Sequence, residues 1–244
     1  EKLALLLRGG NFPTAYVYPA ELRDTRDLLR RRCTIVRRRG ATITHVQMIN
    51  HQQNLPAFEK SISYKSNRVG IADRFEGDSL QRMVSLDVDL IDFYDKQIQQ
   101  LDLYLEQHAK LDDPDTFFRL QSIPGVGRIL AMTMLYEIHT IKRFPTVGDF
   151  LSYSRLVKGT NSSAGKNYKP TGRKIGNPHL KWAFSEAITL LKRECPQAKA
   201  FAERIEKKHN KARANTLLAI KLGRAVYWMW KRKAAFDPNV FAKD

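Results

Sequence analysis

Cysteine is almost absent from this chain: 244 residues contain two, Cys33 and Cys195. Neither has a neighbour at metal-ligand spacing, which excludes a disulfide framework or a zinc ribbon and points to reduced thiols in a cytosolic setting. No stretch approaches the roughly 18 uninterrupted apolar residues that a membrane span needs, so no membrane partner is expected. The opening EKLALLLRGG is too short, and starts too acidic, for a secretory signal. Position 1 is glutamate rather than methionine, so a fragment of a longer protein is expected. Acids are missing altogether from residues 155–181, where seven bases stand unopposed.

What is abundant is positive charge. Forty-two Lys and Arg face 25 Asp and Glu, for a formal charge of +17 and a pI near 10.0. Such an excess repels itself in a compact state and is kept for a polyanion, of which nucleic acid is the commonest. The charge also comes in blocks. Residues 21–46 hold eight arginines and three acids, residues 82–115 nine acids and three bases, and residues 192–233 thirteen bases and three acids. These blocks suggest separate modules with separate jobs.

The pattern is mainly helical. Leu22, Leu29, Val36 and Ile43 recur every seven residues, which predicts a helix with one apolar stripe and its arginines turned outward. The preceding segment, with Tyr16 and Tyr18, reads as a loop with a short extended piece. A second long helix is predicted from residue 80 to 108. Val84, Ile91, Ile98 and Leu105 repeat by seven, with Asp87 and His108 interrupting the adjoining seam. That spacing fits a coiled coil joining copies of the chain, and it equally fits an amphipathic helix packed on its own domain. KLDDPD then breaks the helix, and a new module begins near Asp113. The expected division is 1–78, 79–112 and 113–244.

In SIPGVGRILAMTMLYEI, residues 122–138, two glycines flank one apolar residue at a helix mouth. Leu120, Ile123, Gly125, Val126, Gly127, Ala131, Met134 and Leu135 fit the helix–hairpin–helix pattern. There the glycines allow close approach to a phosphate, and the second helix offers unpaired N–H groups to it. Gly125, Val126, Gly127 and Arg128 are the candidate contacts, positioning DNA rather than reading bases. A helix–helix corner with no ligand would look the same in sequence.

The second informative stretch is RLVKGTNSSAGKNYKPTGRKIGNPHLKWAF. Its glycines and prolines forbid a helix over most of it. Lys158, Lys166, Lys169, Arg173, Lys174 and Lys181 supply charge suited to phosphates. Asn177-Pro178 is predicted to open the next helix. Ser162 and Ser163 lie in the middle, where a hydroxyl needs a base and nearby cations to act as nucleophile; no base is evident nearby in sequence, and serines in such loops also serve as plain turn residues. In the last helices Leu217, Leu218, Ile220, Leu222, Val226 and Trp230 read as core. Lys207, Lys208, Lys211 and Arg213 read as an exposed basic face.

LQSIPGVGRILAMTMLYEI, FPTVGDFLSYSRLVKGTNSSAGK, GRKIGNPHLKWAFSEAI and LLAIKLGRAVYWMW, in this order, resemble the C-terminal transposase domain of the bacterial IS one-ten family. EKLALLLRGGNFPTAYVYPAELRDTRDLLRRR resembles the stretch after that family's last catalytic aspartates. The resemblance implies a mainly-α chain: a helical remnant of a RuvC-like domain, a coiled-coil helix, and an all-α C-terminal domain with the helix–hairpin–helix-like turn. It implies DNA transposition guided by a structured RNA, through a covalent phosphoserine, in a homo-oligomeric, cytoplasmic and nucleoid-associated recombinase. Ser163, in Ser162-Ser163-Ala164-Gly165, matches the nucleophile position, with Ser162 standing where the family has Glu and kept as second choice. Lys166, Arg173 and Lys174 would hold the scissile phosphate. The family's acidic tetrad, which binds Mg, falls upstream of Glu1, so no metal ligand is assigned here and this chain alone is expected to bind nucleic acid without recombining it. The alternative is a non-enzymatic helix–hairpin–helix nucleic-acid-binding protein whose serines are structural.

Overall fold

The computed structural model describes residues 1–11, 15–157, 161–163, 166–168 and 175–243, with backbone alone for 161–163 and 166–168. It is mainly α, as the sequence predicts. In chain order the elements are α1 (Lys2–Arg8), α2 (Ala20–Gln52), α3 (Asp78–Asp112), α4 (Pro114–Gln121), α5 (Arg128–Ile138), α6 (Val147–Tyr153), β1 (Asn161–Ser163), β2 (Lys166–Tyr168), α7 (Pro178–Glu194), α8 (Pro196–Lys208), α9 (Lys211–Arg232) and α10 (Pro238–Lys243). No helix of the described residues is long and apolar enough to cross a membrane.

Helices α2 and α3 pair antiparallel. Arg32 meets Asp102 at 2.7 Å, Arg39 meets Asp95, and His45 Nδ1 lies 2.6 Å from Asp87, so partners descend α3 as they climb α2. The apolar seam holds at both ends: Leu29, Ile43, Val46, Val84, Ile91 and Leu105 are buried. In the middle it does not. Val36 is exposed, and Arg32 and Arg39 turn inward to carboxylates of α3. The arginines of α2 are therefore not all turned outward, and the basic and acidic blocks are two halves of one helical hairpin rather than separate modules. Long arginine stems can lie along an apolar seam while their forks reach acids at its edge. The pairing spans the expected boundary at residue 78. It also covers Val84, Ile91 and Leu105 within the chain, leaving no room on that seam for a second copy.

The connection between α2 and α3 carries its own small core, with Ile62, Ile71 and Phe75 packed against Ile49 and Val84. Arg68 anchors it. Its side chain is 2% exposed, and it donates to Asp92 at 2.7 Å, to Asp95 at 2.6 Å, and to the carbonyls of Ile62 and Ser63.

The main core lies among α4 to α9, with Phe117, Met132, Phe150, Phe184, Leu222 and Tyr227 at its centre. Helix boundaries follow local chemistry. Asp113 caps α4 by accepting from Thr116 N at 2.9 Å, with Pro114 in the first turn. Thr146 and Asp149 form a reciprocal capping box on α6. The described residues just before α2, 15–19, form no helix or strand. Tyr18 is buried there and donates its hydroxyl to the carbonyl of Tyr136, while Tyr16 hydroxyl bonds His139 Nδ1. Burial pushes the Tyr18 phenol well above its ordinary range, so it acts as a donor and not as an acid.

Replacing Arg68 with Ala leaves Asp92 and Asp95 without their shared partner. Chemical denaturation is expected to show a loss of about 2–4 kcal/mol. Arg68→Lys should recover only part of it, since one ammonium cannot fork to two acids and two carbonyls; full recovery by lysine would contradict the bridging role.

Candidate nucleic-acid interface

The acid-free segment leaves α6 and returns at α7, and its two stems are fastened to one another. Arg155 Nε donates to the carbonyl of Ile175 at 2.9 Å, and Asn177 N donates to the carbonyl of Tyr153 at 2.6 Å. Between them Gly176 takes φ +91°, and a Cβ there would lie 2.6 Å from the Tyr153 carbonyl oxygen. Only glycine fits a left-handed residue pressed on a helix end in this way. The stems are thus held on the C-terminus of α6, whatever the intervening residues do.

Asn177 is the pivot. Its Oδ1 accepts from His179 N at 2.8 Å and Leu180 N at 3.1 Å, capping α7 as Asn177-Pro178 predicted. Its Nδ2 donates to Glu137 Oε2 at 2.6 Å. Glu137, 2% exposed in the apolar helix α5, also accepts a bidentate pair from Arg30 of α2, at 2.6 and 2.7 Å. A buried carboxylate is tolerable only with such partners. The hydrogen bond to Glu137 raises the Arg30 guanidinium further above its ordinary value. His179, half-buried beside this pair, is pushed below the usual histidine range by burial, with the positive charges of Arg30, Arg37 and Arg26 adding to the effect and Glu137 opposing it. Its imidazole is therefore neutral at neutral pH. Arg30, Glu137 and Asn177 as a network were not anticipated. The one available signal was a single acid inside LAMTMLYEI.

Within the segment, β1 and β2 pair antiparallel with Asn161 opposite Tyr168, Ser162 opposite Asn167 and Ser163 opposite Lys166. The predicted loop therefore contains a short hairpin, and its register brings Ser163 and Lys166 together as cross-strand neighbours. Lys158, Lys169, Arg173 and Lys174 lie outside the described residues. Lys181 is exposed on the first turn of α7.

The α4–α5 turn divides the roles of its glycines. Gly125 has φ +82°, and a Cβ there would lie 2.8 Å from Leu190 C and Leu191 N, closer still to Leu190 Cβ. Its glycine requirement comes from packing on α7, not from a phosphate. Val126 is buried. Gly127 is exposed at the N-cap of α5 with open space around it, so this residue and the N–H groups after it are what the turn offers a ligand. Arg128 is exposed but paired with Glu106 of α3 at 2.6 Å. Hydrogen bonding from Lys110, and with it from Arg128, holds Glu106 below the usual carboxylate range.

Residues 118–203 match the transposase IS116/IS110/IS902 family. The transposase match begins in α4 and ends in α8. It takes in the α4–α5 turn, Glu137, the hairpin with Ser162 and Ser163, and the capped start of α7; the α2–α3 hairpin and α9 lie outside it. No curated protein matches the chain. Among the described residues no three of His, Cys, Asp or Glu converge so as to hold a metal ion. The magnesium site that the family resemblance implies has no ligand set among them.

The two glycines of the turn should respond differently. Gly125→Ala is expected to destabilise by at least about 2 kcal/mol, from overpacking and a left-handed backbone. Gly127→Ala should cost within about 1 kcal/mol, the cap preference alone. Equal thermal stabilities for the two variants would contradict the packing role of Gly125.

Proposed function

We propose that this chain supplies the serine-bearing part of an insertion-sequence transposase that cuts and joins DNA. The observation that carries the reading is the transposase family match across residues 118–203, which encloses Ser163 and the lysine placed opposite it. In the proposed step the Ser163 oxygen bonds to phosphorus of the DNA backbone and the sugar oxygen departs, taking up a proton in balance for the one the serine loses. A hydroxyl of a second DNA end then reverses the exchange and releases the serine. Lys166, Arg173 and Lys174 neutralise the charge that builds on phosphorus, and Ser162 stands as the second candidate nucleophile. Gly127 and its following N–H groups, with Lys158, Lys169 and Lys181, hold neighbouring phosphates. The upstream acids, their magnesium and a structured guide RNA belong to the same reading, as does a cytoplasmic, nucleoid-associated setting.

A stem fastened at both ends supports this role. Orientation of a nucleophile against its phosphate accounts for much of such catalysis, and a serine on an unanchored strand would have none. The test is Ser163→Ala in the complete transposase. Strand joining should fall to background, with duplex affinity within about twofold of the parent. Joining that survives in Ser163→Ala and fails in Ser162→Ala moves the nucleophile by one residue; joining that survives both leaves the binding-only alternative.

Self-association through α3 forms part of the proposal, on a different face from the seam that α2 covers. Met83, Leu86, Leu90 and Phe93 recur at coiled-coil spacing on the outside of α3 and are 39%, 59%, 38% and 56% exposed. Sedimentation velocity should show an oligomer that Leu90→Glu combined with Phe93→Glu reduces to monomer. An unchanged sedimentation coefficient would place the contact elsewhere.

A further inference from the structure

Largely beyond the family match, α9 and the chain that follows it line, together with Phe201 of α8, a cleft of about 700 Å³. One wall is a single row of α9: Arg224, Trp228 and Arg232, four residues apart and all exposed. At a rise of 1.5 Å per residue the two arginines are about 12 Å apart along the helix with the indole midway. Arg232 lies over the Trp228 ring at 4.8 Å from its centroid, and Lys231 reaches the same ring at 5.5 Å. Phe236 and Val240, ahead of and within α10, add apolar side chains to the same lining. Lys221, 7% exposed and part of the lining, holds its ammonium 4.6 Å from the Phe201 ring and 5.2 Å from that of Phe241. The acid in the lining, Asp237, accepts from Asn239 N and Val240 N and caps α10.

This combination selects its ligand. An indole flanked by two arginines, in a lining that also holds apolar side chains and a buried cation, fits a flat apolar ring carried on a polyanion, with the Arg232 guanidinium moving from the ring to a phosphate as the base stacks. A neutral apolar peptide would not use the arginines, and an acidic side chain would not use the indole. A duplex keeps its rings stacked inside; a single strand offers them one at a time.

We propose that this cleft binds an unstacked base of a single DNA strand, with Trp228 as the stacking platform and Arg224 and Arg232 on the flanking phosphates. It rests on the transposase reading only for the choice of DNA over RNA: joining DNA ends exposes unpaired strand at the cut. The arrangement also gives work to the basic block of residues 192–233, most of which lies beyond the family match.

The experiment is a titration of the full chain against a short oligodeoxynucleotide carrying 2-aminopurine, with a blunt duplex and an RNA strand of the same sequence beside it. The single DNA strand should bind with a change in 2-aminopurine fluorescence. Trp228→Ala should weaken it roughly tenfold, and Trp228→Phe should stay within about threefold of the parent. Arg232→Gln should lower the salt dependence by about one phosphate contact. Duplex affinity should hold in all three variants, whose helical circular dichroism reports their folding. A Trp228→Ala variant that binds the single strand within about twofold of the parent, a duplex affinity that falls by the same factor as the single-strand affinity, or an RNA strand bound as tightly as the DNA would each overturn the proposal. Loss of joining by Ser163→Ala bears on none of these readouts, so the two readings fail separately.

Discussion

Glu137 sits in a helix buried from Leu130 to Ile138, and three parts of the chain meet on its carboxylate. Arg30 reaches it from α2 with both arms of a guanidinium, Asn177 reaches it from the cap of α7, and α5 itself runs through the main core. A charge so buried is costly unless its partners are in place, so the pairing acts as a condition on the surrounding elements. The hairpin of α2 and α3 must lie where Arg30 can fork. The stem at Asn177 must close on α6. These two demands join the N-terminal half to the transposase-like half and set the frame from which the serine hairpin extends.

Charge plays a second part in the architecture. The molecule carries a large positive excess, yet the acids it has are concentrated on α3 and used against α2 and the connection between them. That neutralises an internal contact rather than the surface. Helices α8 and α9 keep most of their positive charge for whatever lies outside. An isolated surface ion pair contributes little, but the near-buried fork of Arg68 and the inward arginines of α2 make the hairpin specific: a slipped register would bring guanidinium groups onto apolar neighbours.

The same economy governs the glycines. Sequence pattern assigned both glycines of the α4–α5 turn to phosphate approach. Gly125 instead makes room for the backbone of α7, while Gly127 faces open space. A turn that binds DNA and a turn that packs two helices need the same residues, because both need a backbone brought within a few ångströms of another group. Only the neighbour distinguishes them.

Much was legible in the residues themselves. KLDDPD ended one helix and Asn177-Pro178 opened another where they should, the seven-residue repeats marked the two long helices, and the described residues of the acid-free segment before Asn177-Pro178 proved to be non-helical. Each of those signals acts within a turn or two of chain, through a cap, a forbidden φ or a local period. What the tertiary structure alone decided lies farther off. Arg30 and Glu137 are 107 residues apart, Arg32 and Asp102 are 70 apart, and nothing in either neighbourhood names the other. Gly125 against α7, and the face of α9 that turns Trp228 and its arginines toward one cleft, belong to the same class. Local residues determine which elements form, because steric and hydrogen-bonding preferences are short-ranged. Which charged groups meet depends on how those elements pack, and that is decided by burial over the whole molecule.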